Sequence, residues 1–309
     1  MARCFVTRRL PGPALGRLDA VHDVDLWTGR LPPSRPELAA HLEPAEGLLS
    51  LLTDRIDTGL IEGAPHLRAI SNYAVGYDNI DMRAAAARGI PVGNTPDVLT
   101  DATADLAFAL LMAAARKLPE AIAAVHAGDW VTWEPSLHLG AEVYGATLGI
   151  VGFGRIGRAV ARRAEGFAMT VMHTDSSSDA GALADLIERS DFVSLHAPLT
   201  PATQHLIDAD ALERMKPTAI LVNTARGALV DQEALAHALN TGQIAAAALD
   251  VTEPEPLPAD HPLLKAPNLI VTPHIGSATR AARERMADLA VDNLLAALDG
   301  RPMPHLVSA

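Results

Sequence analysis

The chain has a single cysteine, Cys4, among 309 residues. That excludes an internal disulfide framework and makes a reducing cytoplasm the expected compartment. It also lacks a long apolar run. The most apolar stretch, Leu106–Ala115, is 10 residues, whereas a bilayer span takes about 20. The first residues form no extended apolar segment, and Pro11 and Pro13 would interrupt one, so no export signal is expected. Positive charge is in short supply: 25 Lys and Arg face 37 Asp and Glu, a formal net charge of −12. This argues against a nucleic-acid partner and against an anionic membrane surface. The 12 histidines are scattered without the paired spacing of a zinc site, so no metal is expected. There is no internal repeat and no low-complexity tract; Pro254, Pro256, Pro258 and Pro262 mark a stiff loop rather than a linker. With these classes removed, an ordinary globular chain remains, long enough for two domains with full cores.

Short apolar runs alternate with helical patterns from end to end, which predicts an α/β protein with parallel sheets. In the first hundred residues strands are expected near Cys4–Thr7, Val24–Trp27, Leu48–Leu52, Leu67–Ser71 and Pro91–Asn94. Helical stretches such as Ala14–Ala20, Pro36–His41 and Met82–Arg88 lie between them. These make one small doubly wound unit. A long amphipathic helix is expected over Asp97–Lys117, followed by a stretch bearing Trp130 and Trp133. A second doubly wound unit then opens, with later strands at Phe192–His196, Ala219–Asn223, Ala246–Asp250 and Leu269–Thr272, and a final helix over about Ala278–Leu298.

The second unit opens on Ala146–Val160, ATLGIVGFGRIGRAV. An apolar strand, a turn with Gly152, Gly154 and Gly157, and a helix start form the fingerprint of a dinucleotide pyrophosphate site. Gly152 permits the tight turn, Gly154 lets the backbone approach the phosphates, and Gly157 lets helix and strand pack closely. The phosphates would lie against the unpaired N–H groups at the helix N-terminus. Three such glycines also arise in plain turns. The flanks strengthen the cofactor reading: helix Arg155–Glu165, strand Met169–His173, then Asp175, 18 residues beyond Gly157. An acid there suits the adenine-ribose 2′-OH.

Three polar residues follow predicted strand ends: Arg226 after Leu221-Val222-Asn223, Glu255 after the strand ending at Asp250, and His274 after the strand ending near Thr272. The carboxyl edge of an open parallel sheet is where ligands bind. A cation, an anion and an imidazole on that edge suit hydride transfer to a ketone, which builds negative charge on the carbonyl oxygen. His274 would supply the proton as general acid and recover it in reverse. Glu255 on the other ring nitrogen would orient the ring and stabilise its positive charge. Arg226 offers a planar fork for a carboxylate. Each has a plainer reading, as a surface arginine, an exposed loop acid with Glu253 as its rival, and a structural histidine.

These motifs, together with Asn72-Tyr73-Ala74-Val75-Gly76-Tyr77-Asp78-Asn79-Ile80-Asp81 and Asn94 to Asp105, run in one order over nearly the whole chain. In that order the chain resembles the D-2-hydroxyacid dehydrogenases, specifically their glyoxylate/hydroxypyruvate reductase branch. The resemblance implies catalytic roles for Arg226, Glu255 and His274, with Glu255 rather than Glu253 as the acid. It implies that Val75 and Gly76 bind the substrate carboxylate through their amides, with Gly276 and Ser277 at the substrate end. It adds Arg155 and Ile156 to the pyrophosphate contacts of Gly152, Gly154 and Gly157, and puts Thr224 and Asp250 near the nicotinamide. It also implies a discontinuous, flavodoxin-like substrate domain, 1–97 completed by 283–309, with the dinucleotide-binding domain 98–282 inserted, and a homodimer.

Two departures bear on specificity. Leu137 stands where several relatives carry the second tryptophan of a WxPxW pattern, which puts pocket size in question. The segment Thr174–Asp179 has no Arg or Lys to pair with a 2′-phosphate, and Asp175 would repel one, so NAD(H) is expected over NADP(H). The expected partner is a small anionic 2-oxo acid, glyoxylate or hydroxypyruvate. Alternatives within the fold are 3-phosphoglycerate, branched 2-oxo acids, formate or phosphite as substrates, or a non-catalytic NAD-sensing corepressor. A nucleotide-dependent methyltransferase would explain the glycines but leaves Arg226, Glu255 and His274 without a task.

Overall fold

The computed structural model describes residues 1–179 and 181–307. The chain divides into two compact units, Met1–Leu99 with Ala278–Ala309, and Thr100–Ser277. Each is a parallel sheet with helices.

The first unit contains β1 (Arg3–Val6), α1 (Ala14–Asp19), β2 (Asp23–Leu26), α2 (Arg35–Leu42), β3 (Gly47–Ser50), α3 (Thr58–Glu62), β4 (Ala69–Asn72), α4 (Met82–Ala87) and β5 (Val92–Gly93). The strand order is β2-β1-β3-β4-β5, the doubly wound order in which the first strand is flanked by the second and third. β3 and β4 are buried at every position, so they show no apolar/polar alternation, and the polar residues at their ends, Ser50, Ser71 and Asn72, are buried too. Helix starts are fixed locally. Asp57 caps α3 by accepting from the Leu60 N–H, and Asp81 caps α4 by accepting from the N–H groups of Arg83 and Ala84.

The second unit holds α5 (Thr100–Ala115), α6 (Leu118–Ala127), β6 (Thr147–Val151), α7 (Arg155–Glu165), β7 (Thr170–Thr174), α8 (Ala182–Arg189), β8 (Phe192–Leu195), α9 (Ala209–Arg214), β9 (Ile220–Asn223), α10 (Gln232–Thr241), β10 (Ala246–Leu249) and β11 (Leu269–Val271). Its strand order is β11-β10-β9-β8-β6-β7. The order reverses at β6, which is flanked by β7 and β8, so the turn after β6 opens at the topological switch point. The sheet is buried on both faces with a period of two. Phe192, Ile220, Val222, Ala246 and Ala248 join the core beneath α5 and α7, while Val193, Leu195, Leu221, Ala247 and Leu249 join the opposite core.

The helix expected over Asp97–Lys117 is shorter. Asp97 and Lys117 both adopt positive φ, 70° and 50°, a backbone no helix tolerates. Lys117 instead turns the chain into α6, an element absent from the sequence-based expectation and without a buried residue. The last helix, α11 (Arg280–Leu298), belongs to the first unit together with its N-cap Thr279. It packs against β3, β4 and α1. Arg17 of α1 grips Asp292 and Asp288 on it at 2.7 and 2.9 Å. Among the described residues no helix is long and apolar enough to cross a membrane.

Candidate active site

The glycine turn is constrained as its sequence demands. Gly152 has φ +95°, and a Cβ there would lie 2.5 Å from the Ala197 nitrogen. A Cβ on Gly157 would lie 2.3 Å from the Gly152 carbonyl oxygen, whereas one on Gly154 would meet nothing within 4 Å. Two of the glycines are thus needed for packing, and the third leaves open space at the N-cap of α7. Arg155 and Ile156 are the first residues of that helix, and the Ile156 side chain packs on the core beneath it. Behind the turn, the His196 main-chain N–H donates to Val151, and its Nε2 lies 2.8 Å from Ser194 Oγ. Desolvation pushes this imidazole down to about 4, so it is neutral near pH 7 and adds no charge to the turn.

Asp175 follows β7 and is exposed. Its Oδ1 accepts from the Ser177 hydroxyl at 2.6 Å and the Ser177 N–H at 2.9 Å. These bonds, with lesser help from His173 and Arg158, hold its carboxyl below the usual range. Thr224 lies just past β9 with its hydroxyl buried and without a hydrogen-bond partner among the described residues. A cradle closed to side chains, an open helix N-terminus and an orphaned buried hydroxyl fit a dinucleotide.

The catalytic candidates sit on the same edge of the same sheet. Arg226 lies three residues past the end of β9, half-buried, and its Nη1 donates to the Ala225 carbonyl at 2.8 Å. Gly227 follows because the chain after β10 passes directly over it: a Cβ there would lie 2.1 Å from the Thr252 carbonyl carbon. The loop bearing Glu255 therefore rests on the loop bearing Arg226. Gln232 clamps the Glu253 backbone, donating to its carbonyl and accepting from its N–H. The Glu253–Pro254 and Glu255–Pro256 peptide bonds are cis. The carboxylate that reaches the histidine is that of Glu255, with Oε1 2.5 Å from His274 Nδ1. Both side chains are partly exposed.

His274 has φ +54°, unusual for a residue with a Cβ and a mark of a turn imposed from outside. Asp250 imposes it. Its side chain is 1% exposed. Oδ1 accepts from Thr272 Oγ1 at 2.6 Å and the Ile275 N–H at 2.8 Å, and Oδ2 accepts from the Gly276 N–H at 2.7 Å. The Asp250 carbonyl also accepts from the His274 N–H at 2.9 Å. Asp250 thus makes four hydrogen bonds to the His274 turn, which is closed on itself by the His274 N–H to the Thr272 carbonyl at 3.0 Å. Its part in holding that turn was not legible in the sequence, where Asp250 is only the last letter of a strand. Gly276 spends its N–H on this anchor, and Ser277 follows half-buried. In the first unit, Val75 and Gly76 follow β4 and are half-buried.

Three comparisons with known proteins agree. The D-isomer specific 2-hydroxyacid dehydrogenase, NAD binding domain family matches residues 108–276. A glyoxylate reductase of Korarchaeum cryptofilum (strain OPF8) is 51% identical over 317 residues, covering 99% of this chain and 96% of that one. Among solved structures, the TT0316 protein from Thermus thermophilus superposes with a TM-score of 0.94 at 49% identity, covering 99% of this chain and all of that one. An NADPH-dependent glyoxylate/hydroxypyruvate reductase from Sinorhizobium meliloti, solved with NADP and malonate, has a TM-score of 0.88 at 33% identity, covering 99% and 97%.

Proposed function

The chain belongs to the D-isomer specific 2-hydroxyacid dehydrogenase family, an oxidoreductase acting on a CH–OH group, and from that premise we propose that it reduces a small 2-oxo acid, glyoxylate or hydroxypyruvate, with NADH. What carries the reading is the 2.5 Å contact between Glu255 and His274, on a turn anchored by a buried carboxylate, in the unit that bears the dinucleotide fingerprint. The full-length likeness to glyoxylate reductases supports the substrate.

Gly152, Gly154, Arg155, Ile156 and Gly157 would hold the cofactor pyrophosphate, Asp175 the adenine ribose, and Thr224 the nicotinamide end, with Asp250 close by as the anchor of the His274 turn. A reduced nicotinamide, when bound, supplies the hydride that adds to the substrate C2. The N–H groups of Val75 and Gly76 bind the substrate carboxylate, and the Arg226 fork binds it and polarises the adjacent carbonyl. His274 gives its Nε2 proton to the carbonyl oxygen as negative charge develops there. Glu255, on Nδ1, fixes the ring's orientation and stabilises the imidazolium before that transfer. Gly276 and Ser277 flank the substrate end.

The preference for NADH rests on Asp175, whose ionised carboxylate would face the 2′-phosphate of NADP as one anion faces another. A Sinorhizobium meliloti relative of the same fold is NADPH-dependent and was solved with NADP, so the preference here is read from side chains of this kind and not from the fold. For the assembly we infer a homodimer formed through α6 and the segment after it. Ile122, Val125, Trp130 and Trp133 are all more than half exposed and, with Leu137, lie in or beside a cavity of about 490 Å³. Such a patch marks an association surface. Sedimentation equilibrium should give twice the chain mass, and Val125→Glu a monomer.

The deciding experiment follows NADH absorbance with glyoxylate, then repeats it with His274→Ala. We expect turnover by the natural chain and a fall in kcat of about 10²–10⁴-fold in the variant, the usual share of a general acid, with NADH affinity within about twofold. No NADH oxidation with any 2-oxo acid, or an unchanged kcat in the variant, would overturn the reading.

A further inference from the structure

Three consecutive carbonyls after β4 are pinned, each by a different donor. The Thr95 N–H donates to the Ala74 carbonyl at 2.9 Å, Asn94 Nδ2 to Val75 at 2.8 Å, and Asn72 Nδ2 to Gly76 at 2.9 Å. A trans peptide is planar, with C=O and N–H pointing in opposite directions. Fixing the carbonyls of 74, 75 and 76 therefore fixes the N–H groups of Val75, Gly76 and Tyr77, each turned away from its own pin. None of these three N–H groups donates to another group among the described residues. Successive unpaired amides of this kind make an anion-binding concavity.

The two asparagines are themselves braced. Asn72 is fully buried at the end of β4. Its Oδ1 accepts from Ser50 Oγ at 3.0 Å, and its Nδ2 also donates to Asn79 Oδ1 at 3.1 Å. Asn79 in turn donates to the carbonyls of Leu51 and Asp54, at 3.0 Å each, which ties the loop after β3 to the same hub. The Asn94 N–H donates to the His305 carbonyl, and its own carbonyl accepts from Asn293 Nδ2 at 2.9 Å. Asn293 is a fully buried residue of α11 whose Oδ1 takes the His305 N–H at 3.0 Å. Both pins are held by residues from distant parts of the first unit, so the turn is set before any ligand arrives.

We propose that Asn72 and Asn94 are positioning residues that, with the Thr95 main chain, present the N–H groups of Val75, Gly76 and Tyr77 as a three-donor receptor for the substrate carboxylate. This rests on the 2-oxo acid reading above and adds to it a third donor, Tyr77, and two side chains that never touch substrate. Losing a pin lets one peptide plane rotate, which weakens carboxylate binding without touching the cofactor or the proton donor.

The test uses Asn72→Ala and Asn94→Ala in the full chain, with glyoxylate as substrate and oxamate as an unreactive carboxylate probe. Each variant should raise the glyoxylate KM and the oxamate Kd about tenfold, while kcat stays within about threefold and the NADH Kd within about twofold. A merely structural role would move folded yield, kcat or NADH affinity instead. If Asn72→Ala does not fold, the half-buried Asn94 carries the same measurement. Unchanged KM and oxamate affinity in a folded variant overturn the proposal. Natural chain that turns over no 2-oxo acid, with variants that still bind oxamate more weakly, overturns the substrate reading and keeps the receptor; no oxamate binding by the natural chain overturns both.

Discussion

Asp250→Asn separates two tasks that one side chain has been given, holding the His274 turn and contacting the cofactor. The amide has the carboxylate's shape, so no cavity forms. Its oxygen can keep the place of Oδ1, accepting from Thr272 Oγ1 and the Ile275 N–H. The NH₂ must then face the Gly276 N–H, which now donates to Oδ2 at 2.7 Å, donor against donor in a site that is 1% exposed. The flipped amide is no better: its NH₂ faces the Ile275 N–H, donor against donor, and the Thr272 hydroxyl must turn to accept from it. A hydrogen bond to a charged group contributes about 1.5–3 kcal/mol, and the two surviving bonds weaken as their acceptor becomes neutral. The sum is a loss of about 3 kcal/mol, within the roughly 5–15 kcal/mol that holds a domain folded. At roughly 2–4 °C per kcal/mol for a unit of this size, Tm should fall by about 6–12 °C. Relaxation of the turn displaces the imidazole, and a shift of about 1 Å costs on the order of 10²-fold in rate. Calorimetry, steady-state kinetics with glyoxylate and NADH titration by fluorescence read the three quantities separately. The expected pattern is a lower Tm, a kcat reduced about 10–100-fold and an NADH Kd within about threefold. An unchanged Tm with NADH affinity reduced tenfold or more would refute the anchoring argument and leave Asp250 as a cofactor contact.

Other outcomes follow from the same geometry. Gly152→Ala puts a Cβ at φ +95° within 2.5 Å of the Ala197 nitrogen; backbone strain and overpacking together should cost about 2–4 kcal/mol, so chemical denaturation of the variant with an unshifted midpoint would contradict it. Asp175→Ser should raise kcat/KM with NADPH at least tenfold and lower it with NADH in paired assays; an unchanged ratio would show that Asp175 does not face the ribose. His196, lowered from 6.5 to about 4 by burial, binds its proton in the unfolded chain before the folded one. Its linkage to stability is therefore fully favourable above about pH 6.5 and is lost as pH falls toward 4, by at most about 3 kcal/mol. Thermal melts from pH 7 to 4.5 should show that slope reduced in His196→Gln, and equal slopes in the two proteins would exclude His196 as its source.

Elements whose cause is local were legible in the sequence. The central strands of a parallel sheet are rich in apolar residues whatever surrounds them, and β1 to β11 fall within a few residues of the expected positions. The turn after β6 needs glycine for its own φ and its own helix packing, so Gly152 and Gly157 announce it. The order of the motifs was equally plain, and with it the family. Arg226, Glu255 and His274 were marked by their place after strand ends, a regularity of parallel sheets rather than of any particular neighbour.

Tertiary structure decided what depends on residues far apart in the chain. That Asp250 anchors a turn beginning 22 residues later leaves no mark in either segment, because an aspartate at a strand end reads equally well as a cap, a ligand or a solvated charge. The same holds for Asn72 and Asn94, whose donors point at carbonyls that composition and periodicity cannot orient. Lys117 breaks the helix through a left-handed backbone that its side chain does not advertise, and α6 was therefore missed. Periodicity reports which face of an element is buried; the direction of a peptide plane is set by whichever polar group the folded chain brings to it.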